Sequence, residues 1–457
     1  MNGPAEHLLV FARLPEPGKS KTRLIDAFGA AHAAELYRAL ANRTLAMAGR
    51  FASQRGCNLT IYFSGGNCNA MATEFGGHFV YREQQGVDLG GRLIHAIQSA
   101  FSIGAERVVV VGTDCHELTE KELTRAFDAL HSKSDIGATD SGQTSRADDM
   151  VLGPALDGGY YLIGLNQPQP QLFESINWGT EHVFEQTKLV ARKTGLRFTE
   201  LSSLSDVDYP EDILSMRDAR AGFPRELFAI EPGRLSIVLP TLNEVGQLEQ
   251  TLQAVGAPHA LLEVIVVDGG SSDKSLEIAQ EHGCQTLSVV RGRGAQMNAG
   301  AAVSSGETLM FLHADTRLPN GYCNFVEDCL ATGQVAGAFR LGITSQQRGL
   351  RLVEYGANFR SRWLQLPYGD QALFMRANTF FDLGGFGRLP IMEDFELVLR
   401  LRRAGKIGLL PQRVATSGRR WQKHGILKTT AINQVCLLAF RLGISPQRIA
   451  NFYRRQG

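Results

Sequence analysis

Glu263–Ala279 reads EVIVVDGGSSDKSLEIA, and the reading of the chain turns on it. Val264–Asp268 is a short apolar run rich in β-branched residues, the pattern of a buried strand. It stops at Asp268, and Gly269-Gly270 permit a sharp turn that a Cβ would obstruct. Ser271, Ser272 and Asp273 then offer N-caps to an amphipathic helix running through Ala279. Strand, carboxylate, glycine turn and helix in that order predict one repeat of an α/β sheet. In such sheets ligands bind beyond the carboxyl ends of the strands. A carboxylate fixed there can accept hydrogen bonds from a ribose or a base, or help to hold a metal. Capping alone accounts for Asp268 and Asp273 about as well, because strand, turn, Asp and helix is a common succession.

Downstream, Thr308–Leu312 is another apolar strand and ends in His313-Ala314-Asp315-Thr316. Gly369-Asp370-Gln371, Glu393-Asp394 and Arg419-Arg420-Trp421 follow. Upstream, strand and helix patterns alternate from the start: LLVFARL, a helical stretch over Ala31–Ala48, LTIYF, a helix over Leu89–Phe101, and VVVVG at 108–112. The first strand runs into Glu16-Pro17-Gly18-Lys19-Ser20-Lys21-Thr22-Arg23, a loop whose N–H groups and cations suit phosphate oxygens. It lacks the GxxxxGK[ST] spacing of a Walker loop, and an exposed basic loop explains it as well. VVVVGTD repeats the buried strand that ends in a carboxylate, here Asp114. With Asp206 and Asp208 it offers three acids suited to Mg²⁺, although each taken alone reads as a cap or turn acid.

At 457 residues the chain exceeds one ordinary core, so two domains are expected. Residues 219–233, ARAGFPRELFAIEPG, break the alternation, which places domains at 1–218 and 234–457. The net charge of +1 hides an asymmetry: Leu397–Gly457 holds 13 Lys/Arg and no Asp or Glu. That tail favours an anionic partner or is simply a solvated face. Seven scattered cysteines with no CxxC pair suggest reduced thiols and a cytoplasmic protein. No stretch reaches the length of a membrane span; Ile432–Ile444 comes nearest and Arg441 interrupts it. Peripheral membrane contact through the basic tail is the remaining membrane expectation. No recognisable module interleaves aromatics with the basic tail, which argues against nucleic acid.

FARLPEPGKSKTRL, GVDLGGRL, VVVGTDCHEL, LGPALDGGYYLIGL and DVDYPEDI resemble segments of the phospholactate-guanylyltransferase-like and molybdenum-cofactor-guanylyltransferase-like group, over roughly residues 6–218. The resemblance implies that Lys19, Lys21 and Arg23 neutralise a nucleoside triphosphate. It further implies that Asp114 with Asp206 or Asp208 holds Mg²⁺, and that Asp157 and Tyr160 shape an acceptor pocket.

PTLNE, VVDGGSSD, RGRGAQMNAGA, FLHADT, GDQALFMR, MEDFEL and SGRRW resemble, in order, the motifs of inverting family-two glycosyltransferases, most closely an arsenosugar-biosynthesis subgroup. Two positions depart from the pattern. Asp268-Gly269 stands for paired acids, and His313-Ala314-Asp315 stands for Asp-x-Asp. The resemblance implies two consecutive nucleotide-diphospho-sugar-transferase-like domains of GT-A type, Rossmann-like in layering. It implies Asp394 as catalytic base, and Asp315 with His313 on Mg²⁺ or Mn²⁺. Glu244, Asp268, Gln296, Arg419 and Arg420 would contact the nucleotide-sugar donor, with Asn298 and Gly300 packing against the nucleotide. Asp370, Gln371 and Glu393 would line the site of an unknown acceptor. Taken alone, Asp394 reads more simply as a helix-start acid; in company with the other motifs the reading as a base prevails.

The expected function is therefore a metal-dependent glycosyltransferase fused to a nucleotidyltransferase-like domain that makes or binds the donor. Two other readings stand beside it. One makes nucleotidyl transfer the main activity, with an acceptor-binding second half. The other is a non-catalytic scaffold for nucleotides or membranes.

Overall fold

Runs such as LLVFA and VVVV carry no polar face, so their strands belong in the middle of a sheet covered by helices on both sides. The computed structural model describes residues 6–131, 147–213, 230–290 and 292–456, except for the side chains of Arg420, His424 and Gln456. They divide into two compact units: one runs to Asp208, and the other comprises 209–213 and 230–456. Residues 219–229 of the expected linker lie outside the described residues, and the first strand of the second unit starts at Glu231, inside that linker.

The first unit has strands β1 (Glu6–Arg13), β2 (Asn58–Ser64), β3 (Val80–Glu83), β4 (Arg107–Gly112), β5 (Met150–Pro154), β6 (Tyr160–Leu165) and β7 (Phe198–Glu200). Their order is β3-β2-β1-β4-β6-β5-β7, with β6 antiparallel to both neighbours and the other pairs parallel. One face packs on the helices Ile25–Arg55 and Glu120–Leu130 through Leu45, Phe51, Leu123 and Phe127. The other packs on Leu89–Ser102 through Leu93, Ile97 and Ala100. Gly29 (φ 78°) kinks the first of these helices, which starts earlier than the alanine-rich pattern predicts.

The second unit has β8 (Glu231–Thr241), β9 (Leu262–Asp268), β10 (Gln285–Ser288), β11 (Gly306–Phe311), β12 (Thr316–Arg317), β13 (Ala336–Thr344), β14 (Leu373–Arg376) and β15 (Ile407–Ser417). The order is β10-β9-β8-β11-β14-β13-β15-β12, with β14 antiparallel to both neighbours. The segment Val264–Asp268 is thus the buried strand expected, lengthened to Leu262. The helix after it begins only at Ser275, because Asp273 accepts the N–H groups of Ser275 (3.0 Å) and Val245 (3.1 Å) and ties this turn to the loop after β8. Gly300, in the helix Arg293–Val303, lies where a Cβ would run into Val238 and Val267, so its role is close helix-to-sheet packing rather than nucleotide contact. Asn298 likewise exchanges hydrogen bonds with the backbone of Phe386 (2.9 and 2.8 Å). No described helix is long and apolar enough to cross a membrane.

Candidate active site

Asp268 ends β9 opposite Thr241 of β8, so its carboxylate sits at the carboxyl edge of the sheet. There it accepts the N–H groups of Gly270 and Ser271, both at 2.9 Å, and is buried. The turn itself uses this acid. Glu244, in the loop after β8, lies 2.7 Å from Arg419 Nη2, and Asp315, beyond β11, lies 3.4 Å from the same nitrogen. One guanidinium therefore joins acids from two loops. The side chain of Arg420 lies outside the described residues. Gln296 is buried and donates to the carbonyls of Thr241 (3.0 Å) and Val267 (2.8 Å), tying the ends of β8 and β9 together. Gln371 is also enclosed: it accepts from Ser361 (2.7 Å) and donates to Phe339 O (2.9 Å). Both amides hold the frame of the site.

Beside Asp315 opens a cavity of about 300 Å³ lined by Arg293, His313, Asp315, Asp370, Asp394 and Trp421 among others. Asp394 stands in the first turn of the helix Glu393–Ala404, where it accepts the N–H of Phe395 (2.8 Å) and, from the GDQ loop, that of Gly369 (2.9 Å). Burial would raise its carboxyl, but Arg293 and these two N–H groups outweigh burial and hold it below the ordinary carboxylate value. Glu393 is buried and turned away onto Arg293 Nε at 2.5 Å, so it anchors that cation instead of lining the cavity. Burial, and then Asp394 and Asp315 against the pull of Arg360, push Asp370 up to about 6. Its Oδ1 is buried with no hydrogen-bond partner. Burial and Arg293 press His313 down to about 4, so its imidazole is neutral near pH 7.

Sequence reasoning missed Arg293, Arg360 and the lining supplied by Asn433, Cys436 and Tyr453 from the last two helices. RGRGAQ carried a signal for Arg293. Arg360 lies over the Tyr368 ring (3.4 Å) and no motif marked it.

In the first unit a second cavity, of about 440 Å³, is lined by Lys19, Lys21, Arg23, Asp114 and Asp208, joined by Arg13, Arg92 and Tyr37. Lys21 Nζ sits between Asp114 (2.6 Å) and Asp208 (3.0 Å), and Arg23 reaches Asp208 at 2.8 Å. The expected Asp114–Asp206–Asp208 metal set is not assembled. Among the described residues no three of His, Cys, Asp and Glu form a cluster able to hold an ion. The physical reason is local: an ammonium occupies the gap between two of the acids. Asp206 is pushed up to about 8 by burial and by Asp114 and Asp157, so it is largely protonated at neutral pH. Asp157 accepts the N–H of Gly159 (2.9 Å) in its own turn, and Tyr160 packs edge-on against Trp178 (6.3 Å); neither lines the cavity.

Residues 236–371 match the family model Glycosyl transferase family 2. Over that stretch the second unit is similar to glycosyltransferase family 2. Residues 45–180 match DUF2064, a family of uncharacterized proteins conserved in bacteria. A solved protein from Desulfovibrio desulfuricans G20, assigned as a nucleotide-diphospho-sugar transferase, is 32% identical with a TM-score of 0.41, and the match covers 47% of this chain and 87% of that one. An uncharacterized glycosyltransferase of Mycobacterium tuberculosis is 28% identical over 36% of this chain and 68% of its own length. A dolichyl-phosphate β-glucosyltransferase of Drosophila melanogaster is 30% identical over 19% of this chain and 32% of its own length. The chain spans 28%, 32% and 25% of the first three curated relatives it matches. The expected α/β fold class stands for both units, and the family 2 match, which ends at residue 371, takes in His313, Asp315 and Asp370 of the cavity but not Asp394.

Proposed function

We propose that the second unit transfers a glycosyl group, with inversion, from a nucleotide-diphosphate sugar to a hydroxyl acceptor. The observation that carries this reading is the cavity where Asp394, held ionised, shares space with neutral His313, Asp315 and Asp370. Asp394 takes the acceptor's proton as its oxygen attacks the anomeric carbon. The bond from that carbon to the diphosphate breaks, and the nucleoside diphosphate leaves with the electron pair. Arg419, which rests between Glu244 and Asp315, can swing to the diphosphate oxygens. Arg293 and Glu393 keep the base in place.

The chain supplies two groups suited to a divalent cation, the carboxylate of Asp315 and the neutral imidazole of His313 two residues away, and no third side chain completes the set among the described residues, so the remaining ligands would be diphosphate oxygens and water. Mg²⁺ or Mn²⁺ held by Asp315 and His313 would neutralise charge developing on the diphosphate.

A specific observation supports a nucleotide-phosphate site in the first unit: Arg13, Lys19, Lys21, Arg23 and Arg92 line one cavity. We propose that it binds a nucleoside phosphate in the manner of the phospholactate-guanylyltransferase-like group, with Lys21 exchanging carboxylates for phosphate oxygens. No metal step is assigned to it.

Thermal-shift titration of the full chain with UDP-, GDP- and ADP-sugars, with and without Mn²⁺, tests the donor claim. One donor should stabilise wild type and Asp394→Asn alike, and Asp315→Ala should lose the metal-dependent part. A shift that Asp315→Ala leaves intact would place donor binding elsewhere.

A further inference from the structure

The helix Gly349–Trp363 has two apolar sides and only one of them meets a core. Leu350 is buried, and Val353 and Ala357 pack with it on Leu341 and Ile343. Leu352, Tyr355, Phe359 and Trp363 recur at three- and four-residue spacing, yet are 76, 72, 51 and 67% exposed. The three rings form a ladder with centroids 6.5 and 6.4 Å apart. Alongside lies a cavity of about 450 Å³ lined by Arg340, Arg351, Arg362 and Arg413, in which Glu354 supplies the carboxylate. Glu354 is already engaged by the Ile343 N–H (2.6 Å) and Arg351 (2.5 Å). Four guanidiniums against one carboxylate leave this cavity strongly positive beside an apolar ladder.

We propose that this face docks on an anionic lipid bilayer, with lipid phosphates entering the arginine cavity and the ring ladder lying at the headgroup boundary. Tyr and Trp, with an apolar body and a polar tip, favour that boundary. Arginine forks match phosphate oxygens, and an anionic leaflet concentrates basic segments at its surface. A second copy of the chain is a poorer occupant, because a two-fold contact would bring two like-charged clusters together. A later helix, Ile426–Arg441, packs its first residue on the Leu350 cluster and leaves the next, Leu427, exposed. This proposal does not depend on sugar transfer, and it centres membrane contact on the ladder helix rather than on the basic tail alone.

Flotation of the full chain with phosphatidylglycerol–phosphatidylcholine vesicles, against phosphatidylcholine alone, tests it. Wild type should float with the anionic vesicles, less so at high salt. Tyr355→Ser with Trp363→Ser, and separately Arg340→Gln with Arg362→Gln, should each lower the bound fraction about tenfold. Tyr355, Arg362 and Trp363 are exposed and Arg340 is half-buried, and all four lie outside the catalytic cavity, so the thermal shift with donor should persist in both variants. Absence of flotation, or flotation unchanged in both variants, overturns the proposal. So does concentration-dependent dimerisation that the ring variant abolishes, or stabilisation by inorganic phosphate matching that by vesicles.

Discussion

A methyl group on Gly369 would stand 2.8 Å from His313 Nε2 and 3.2 Å from Asp394 Oδ2. Because the glycine has no Cβ, the His313 ring and the Asp394 carboxylate can both close on this stretch of backbone, whose N–H bonds Asp394. Gly369→Ala should therefore displace both groups and lower kcat about 10²-fold, with donor KM little changed; an unchanged kcat would show that neither group needs its present position. Arg293 serves a double purpose, pairing with Glu393 and lowering Asp394. Replacing it with Met should destabilise the fold by about 3 kcal/mol, somewhat less than a fully enclosed pair because the guanidinium is partly exposed, as a denaturant titration would read. Asp394 and Asp315 were legible because their residue types stand in recognisable strings. The lining from the last helices was not, since Asn433 and Tyr453 meet His313 and Asp315 across more than a hundred residues and such contacts leave no local spacing to read; Arg360 stands close to Tyr368 in the chain but in no recognisable string.

At the level of single elements, the strands were the clearest feature, since unbroken apolar runs allow few alternatives. The helix starts were less so. Three cap candidates follow Asp268, and the choice among them depends on Val245, whose N–H claims Asp273 from another loop. Gln296 and Gln371 looked like ligand contacts because they lie within motifs, yet their amides close the frame around the site. Gln296→Leu should thus cost about 1–3 kcal/mol of stability, by leaving the Val267 carbonyl without its donor; a neutral effect in a thermal melt would return this residue to the donor site. At the first strand, burial opposes ionisation of Glu6, but Arg55 (2.6 Å) and His131 hold its carboxyl below the ordinary 4.5. A lowered folded value means the contribution is present above pH 4.5 and is lost as pH falls through the folded value. Melting temperature should accordingly fall more steeply below that pH in wild type than in Glu6→Gln. Parallel slopes would remove Glu6 from the account.

Across the whole chain, one sheet order occurs twice, β12 being the addition in the second unit. The repeat was invisible residue by residue, because what it preserves is strand order and the carboxyl-edge site, not side chains. At corresponding places the charges are exchanged. The acid beyond β4, Asp114, meets a lysine from the loop after β1, and Asp208, beyond β7, is its second partner. The acid beyond β11, Asp315, meets an arginine from beyond β15, and Glu244, in the loop after β8, is the second partner. In both units a cation spans two acids at the carboxyl edge, and on the proposed function each exchanges carboxylates for phosphate oxygens on loading. The central claim is that sugar transfer belongs to the second of these sites, and one measurement addresses it directly: nucleoside diphosphate release from the stabilising nucleotide-sugar by full-length Asp394→Asn and Asp114→Asn. The account predicts a loss of about 10²–10⁴-fold in the first and near wild-type release in the second. Release that survives Asp394→Asn but fails in Asp114→Asn would contradict it.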